Sequence, residues 1–380
     1  MIRRFLTVLS VACCLTFSFC SCDDTGDFPD DDKNTEKPAP GEGEDDQKDD
    51  EGTDEPLPEG ERWFKTRGLV MGWTDVANSY VLDYIQIAED NGLNTFSIYG
   101  ADRTSAVWNN FASRCRDAGI DLEFEEHMMS FLLPRDLFST HPEYFRMNEN
   151  GVRVSDANGC PSSEGALEEV RKNAKVLAQN YAPTNNKYYF WLDDGGGVCH
   201  CERCKELNDA DQALIFENVI IEAIKEINPD AQLAHLCYAN TLDAPRKTVP
   251  HEDIFLEFAP FYRDWSQPLS SVWATGRTGI SHSRYLRALK ENLDVFPAKT
   301  AQVLEYWMDD SLFSGWDQSN LVEVPWDNSI FLDDLDTYAS YGIRHIMCYC
   351  AYVGPQYVQK FGYPTFLEEY GQGLYNYEKK

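Results

Sequence analysis

The chain has 380 residues and a formal net charge of −31, from 33 Lys and Arg against 64 Asp and Glu. So acidic a surface excludes nucleic acid as the expected partner, because phosphate binding needs clustered Lys and Arg. It leaves neutral or basic ligands, and the length allows one large domain behind any leader.

Met1-Ile2-Arg3-Arg4 is a short basic start, and the apolar run from Phe5 to Phe19 is too short to span a bilayer as a stable helix. It ends at Ser21-Cys22, a small residue before a cysteine, and looks like a bacterial lipoprotein signal. On that reading residues 1–21 are removed and Cys22 carries the lipid that anchors the chain to a membrane. Residues 22–61 follow as a tether. Positions 23–61 hold 18 Asp or Glu against three Lys and almost no aromatics, too little apolar surface to fold. Like charges keep such a linker extended. The acids begin directly behind Cys22, at Asp23 and Asp24, which resembles the export signal of surface lipoproteins in Bacteroidetes-type bacteria. The expected location is therefore the outer membrane, at the cell surface.

Residues 62–380 have a size normal for one α/β barrel. Strands are predicted at Gly68 to Gly72, Thr95 to Tyr99, Leu122 to Met129, Tyr188 to Leu192, Leu233 to Tyr238, Ile254 to Ala259, Gln302 to Trp307 and His345 to Tyr349. Helices are predicted at about Ser79 to Asp90, Ala106 to Ala118 (closed by Gly119), Ala210 to Ile227, Tyr285 to Asn292, Ser329 to Tyr341 and Thr365 to Tyr370. Eight β-α alternations favour an α/β fold of the (β/α)8 TIM-barrel type, 62–380 being its single catalytic domain.

In such a barrel the carboxyl ends of the strands carry the chemistry. Here they present Glu125-Glu126-His127, Asp193-Asp194, Tyr238 with Asn240, Glu257, Glu305-Tyr306-Trp307 with Asp309-Asp310, and Tyr349 with Tyr352. Aromatic faces stack on pyranose rings and carboxylates bind hydroxyls and move protons, so the set suits a sugar site. Asp193 and Asp194 close an aromatic strand, Tyr188 to Leu192, just before Gly195-Gly196-Gly197; the plainer reading is that they cap a turn. His127 contacts a sugar hydroxyl or is a satisfied structural histidine. Trp191 and Trp307 are stacking platforms or barrel-core packing. His235 and His345 lie inside strands and read as core.

Cys199, Cys201 and Cys204 form a C-x-C-x-x-C cluster. Three readings stand: a structural zinc with Cys160 or His200 as fourth ligand, a disulfide plus one free thiol, or buried thiols. Each braces the loop after the fourth strand. No cofactor is expected for catalysis. Cys348 and Cys350 alternate along a strand and read as small core residues.

The segments HPEYFRMNENGVRV, WLDDGGGVCHCERCKEL, LIFENVIIEAIKEINPDAQLAHLCYANT, DIFLEFAPFYRDW, YLRALK, LEYWMDD and YGIRHIMCY resemble, in order, domain of unknown function 4838. That family is similar to glycoside hydrolase family 163, endo-β-N-acetylglucosaminidases acting on N-glycans, and is distantly like the hexosaminidase barrels. The resemblance implies a retaining, substrate-assisted reaction in which the sugar's own 2-acetamido group attacks C1. Asp193 would orient and polarise the acetamide and Asp194 would protonate the leaving oxygen, with His127, Trp191, Tyr238, Asn240, Glu257, Glu305, Trp307 and Tyr349 binding the glycan. Where the related hexosaminidases carry Glu as the acid, this chain has Asp194, one methylene shorter; Glu305 is the other candidate. The competing class of function is a non-catalytic glycan-binding surface lipoprotein.

Overall fold

The computed structural model describes residues 61–379. The proposed signal peptide, Cys22 and all of the tether except Glu61 lie outside the described residues.

Nine parallel strands form one sheet: β1 Thr66–Gly72, β2 Thr95–Tyr99, β3 Asp121–Glu123, β4 Glu125–His127, β5 Lys187–Trp191, β6 Gln232–Cys237, β7 Ile254–Phe258, β8 Gln302–Glu305 and β9 His345–Tyr349. Each stands within a residue or two of a predicted strand, except that the predicted third strand is split. β3 and β4 are two halves of one stave interrupted at Phe124. The first half pairs with β2, Thr95 opposite Asp121, and the second with β5, Glu125 opposite Tyr189. β1 pairs with both β2 and β9. The eight staves therefore close into a (β/α)8 barrel.

Helices follow the strands on the outside, and their ends are written in the sequence. Asp83 caps Tyr84–Asn91, Ser105 caps Ala106–Asp117, and Asn208 with Asp211 makes a reciprocal capping box at Asp209–Lys225. The sequence places the start of the first of these at about Ser79. It begins at Tyr84 because the Asp83 carboxylate takes the backbone N–H groups of Ile85 and Gln86. A helix that the sequence reading omitted, Glu164–Asn180, lies between β4 and β5. Its buried stripe is Ala166, Val170, Ala174, Leu177 and Ala178, one face of a clearly amphipathic helix. Arg171 and Lys175 pair across to Glu222 and Glu226, which sets it beside Asp209–Lys225.

The apolar core has two layers, one between strands and helices and one within the barrel. Leu69, Phe96, Phe190, Ile220, Leu256 and Leu335 belong to the outer layer, Val70, Tyr189, Trp191, Phe255, Leu304, Tyr306 and Met347 to the inner. Burial of each such side chain contributes about 1.5–3 kcal/mol. Glu123, Glu125, Glu257 and Gln302 are buried among the inner residues, with the partly buried Lys187 beside them. Gln302 accepts from Lys187 (3.3 Å) and Tyr189 (3.2 Å) and donates to Glu257 (2.9 Å). Both Glu125 oxygens are buried without a hydrogen-bond partner. Burial, reinforced by the neighbouring Glu257 carboxyl, pushes the Glu125 carboxyl well above its ordinary range. Among the described residues no helix is long and apolar enough to cross a membrane.

Candidate active site

The inward positions of β5 are Tyr189 and Trp191, and Asp193 follows two residues beyond the end of the strand, at the barrel mouth. Asp193 is held from three directions. Its Oδ2 accepts from the Arg135 guanidinium and from the backbone N–H of Asn158 (2.5 Å). The Asn158 side-chain oxygen accepts in return from the Asp193 backbone N–H (2.9 Å), and its amide nitrogen donates to the carbonyls of Gly196 (3.2 Å) and Gly197 (3.1 Å). Arg135 also donates to the Asn158 carbonyl (2.8 Å). Asn158 adopts φ +46, a left-handed conformation that Asn tolerates better than most residues. The side chains of Asp193 and Arg135 are 19% and 24% exposed, so this is a half-buried ion pair with hydrogen bonds fixing its geometry.

The glycines explain themselves at this point. Gly195 has φ +58, and a Cβ on Gly196 would lie 2.8 Å from the Ala157 methyl and 3.0 Å from the Asn158 amide nitrogen. The chain must turn sharply and pass close to Asn158.

Asp194 differs from its neighbour. Its side chain is 56% exposed and its Oδ1 stands 4.0 Å from His127 Nε2. The other His127 nitrogen, Nδ1, donates to the Leu192 carbonyl, and the ring sits edge-on to Trp191 at 5.2 Å. Tyr238 faces the same space; burial first, then the Asp194 charge, push its hydroxyl well above the ordinary range. A pocket lined by His127, Asp193, Asp194, Tyr238, Asn240 and Thr241 opens here. Beside it stands an aromatic wall. Tyr306 stacks on Tyr349 (5.1 Å, 7° between planes) and meets Phe261 at 4.9 Å and Trp265 at 5.9 Å.

The family model described as Domain of unknown function (DUF4838) matches residues 70–305. The chain belongs to the DUF4838 family. No curated protein matches. Among solved structures it is similar to a glycoside hydrolase family 20 β-N-acetylglucosaminidase, at 9% identity and TM-score 0.47, covering 82% of this chain and 70% of that one. It is similar also to a β-galactosidase from the psychrophilic Marinomonas ef1, at 12% identity and TM-score 0.47, covering 75% and 53%. A chitinase from Chromobacterium violaceum follows at 10% and 0.42, covering 82% and 100%.

Within this DUF4838 barrel the sequence-derived candidates fall into three groups. His127, Asp193, Asp194, Tyr238 and Asn240 line the pocket, Asn240 donating to Asp209 (2.9 Å) as it does so. Trp191, Glu257 and Tyr349 lie on the inner face but deeper; Trp191 is 3% exposed and its indole N–H donates to Glu257 Oε2 at 2.9 Å. Burial pushes the Glu257 carboxyl up to about 8. Glu305 and Trp307 do not reach the mouth. Leu304 and Tyr306 take the inward positions of that stave, so the alternating residues face the helices. Glu305 accepts from Tyr338 and sits 3.7 Å from Arg263 Nε, while the Trp307 indole donates to Asp334 at 2.9 Å. Glu305 is thus removed as the alternative acid, and Trp307 as a platform, because their surroundings are fully buried packing.

Residues that sequence reasoning missed include Arg135, Asn158, Tyr262, Trp265 and Asp75. Only Asp75 carried a signal, since it follows the end of β1. It is buried, accepts from the Tyr352 backbone N–H at 3.0 Å, and burial pushes its carboxyl up to about 7. Asp309 and Asp310 are likewise raised to about 6 by burial.

Proposed function

We propose that this protein is a glycoside hydrolase acting on N-acetylhexosamine-containing glycans, with Asp193 as acetamide polariser and Asp194 as general acid. What carries the reading is one observation: adjacent carboxylates share a pocket in opposite environments. Asp193 is fixed in orientation, its Oδ2 held by Arg135 and Asn158 and its other oxygen left for the acetamide N–H. A polariser needs that fixed orientation. Asp194 stands in the open beside His127 and Tyr238, where a bound sugar would cover it. Covering would exclude water, and the mechanism assigns this carboxyl the proton that the leaving oxygen requires.

The steps then balance. The acetamide oxygen attacks C1, the C1–O bond breaks, and Asp194 gives its proton to the leaving oxygen. Water next attacks C1 of the oxazolinium, Asp194 takes a proton from it, and the acetamide is regenerated with retained configuration. The glycan partner, and a position at the outer membrane through lipid on Cys22, belong to the same proposal.

The test is leaving-group dependence. Asp194→Asn should slow poor leaving groups by about 100-fold or more and activated aryl glycosides far less, because only the former need a proton. Asp193→Asn should slow both. Asp194→Glu restores the missing methylene and should raise the rate if the short acid limits it. Wild-type chain that binds N-acetylated glycans and cleaves none would overturn the hydrolase and leave a glycan-binding barrel.

A further inference from the structure

The four thiols of Cys160, Cys199, Cys201 and Cys204 come together from two separate segments. Cys160 ends the excursion that carries Arg146 and Asn158, and the other three sit on the loop after β5. All four are buried, and their Sγ atoms lie within 4.8 Å of one another. We propose that they bind one zinc ion, a structural site that locks the loop carrying Asp193 and Asp194 to the segment carrying Asn158.

Geometry is the first argument. Cys160 Sγ and Cys201 Sγ are 3.8 Å apart. A tetrahedron with Zn–S bonds of about 2.3 Å has edges of about 3.8 Å. Sulfurs joined as a disulfide would stand at about 2.0 Å, and none of the four is so joined. His200, the other candidate for fourth ligand, is exposed and outside the cluster. The donor set is all sulfur, which suits zinc among the common divalent metals.

Surroundings supply the second argument. Four thiolates on one Zn²⁺ leave a net charge of about −2 that donors must offset. The Met147 backbone N–H donates to Cys199 Sγ at 3.3 Å, and Arg153 Nη1 approaches the same sulfur at 3.7 Å. Ser162 Oγ lies 3.2 Å from Cys160 Sγ and 3.6 Å from Cys201 Sγ. Gln212 fixes the loop backbone from the helix side, accepting from Cys199 N–H (3.0 Å) and donating to the carbonyls of Cys199 (3.1 Å) and Cys204 (3.4 Å). Ligands and supporting donors are thus in place together.

The consequence reaches the pocket. Cys160 is two residues beyond Asn158, and Cys199 two beyond Gly197, whose carbonyl Asn158 holds. A metal at the cysteines therefore pins both ends of the clamp on Asp193. The site does not depend on the hydrolase reading, since its readout is metal content.

The full chain, purified without chelator, should contain one equivalent of zinc by elemental mass spectrometry. Cys160→Ser should bring the content to background and lower the melting temperature. Should that variant fail to fold, wild-type chain stripped of metal and titrated with Co²⁺ gives the second readout. It should develop thiolate-to-cobalt charge transfer and tetrahedral ligand-field bands at one equivalent. A non-reducing peptide map provides the contrary outcome. If Cys160 is disulfide-linked to Cys199, Cys201 or Cys204 in zinc-free, folded protein, or if all four alkylate as free thiols in it, the site is not a metal site.

Discussion

Glu257 offers the most quantitative test of the barrel interior. Its carboxyl is buried, accepts from Trp191 and Gln302, and is pushed from 4.5 up to about 8, chiefly by burial. The charge of Glu123 on β3 raises it further, while the hydrogen bonds from Gln302 and Trp191 and the charge of Lys187 on β5 oppose the rise. A carboxyl whose folded value lies above its unfolded value stabilises the fold while both states are protonated. That contribution is complete below about 4.5 and is lost as pH rises through about 8. The loss runs at about 1.4 kcal/mol per pH unit, or about 3 kcal/mol between pH 5.5 and pH 8. Glu257→Gln removes the titration. It also places an amide N–H₂ against a donor, a pH-independent cost of about 1–3 kcal/mol. The variant should therefore be the less stable protein at pH 5.5 and close much of the gap by pH 8. Asp75, Glu305, Asp309 and Asp310, all raised by burial, keep part of the slope in both proteins. Urea unfolding of both chains at the two pH values measures the difference. Parallel pH dependences would refute the claim that Glu257 is held neutral by the fold.

Arg263 is fully buried between Asp334 and Glu305, so Arg263→Met strands two carboxylates and should cost about 3–5 kcal/mol in urea unfolding. A loss below about 1 kcal/mol would show that the pair is not the packing device described. Cys22→Ser should release the mature chain from membranes with its thermal unfolding unchanged; fractionation that leaves it as membrane-bound as wild type would remove the lipid assignment.

The barrel was legible because buried parallel strands are continuous apolar runs between turn residues, and the helix from Ala106 closes on Gly119. The same continuity hid the facing of the residues. Along Gln302 to Trp307 both sides of the stave are buried, so nothing in the residue types says that Tyr306 rather than Glu305 or Trp307 faces the mouth. Parity counted from the inward Gln302 would have said so. Arg135 and Asn158 were illegible for another reason: they reach Asp193 across 58 and 35 residues, from a segment of short 3₁₀ turns without periodicity. The cysteine spacing announced the cluster, but only the fold could choose Cys160 over His200.

The doublet Asp193-Asp194 gains its meaning from those hidden residues. Two neighbouring acids in the same surroundings would not be suited to distinct tasks. Asp193 lies against the segment between β4 and β5, where Arg135 and the Asn158 N–H hold its carboxylate in one orientation; Asp194 is left open beside His127 and Tyr238. Division of labour between an acid that must stay ionised and one that must exchange a proton requires that asymmetry. On the proposed mechanism, then, the excursion between β4 and β5 is part of the catalytic apparatus although none of its residues reacts. Weakening it at Asn158 should act on the polariser first: Asn158→Ala removes the acceptor for Asp193 N–H and both bonds to the glycine loop. Activated and poor leaving groups should then slow together, the pattern of Asp193→Asn rather than that of Asp194→Asn. A selective loss on poor leaving groups would mean that the excursion positions the acid instead, and the roles of the two carboxylates would have to be exchanged.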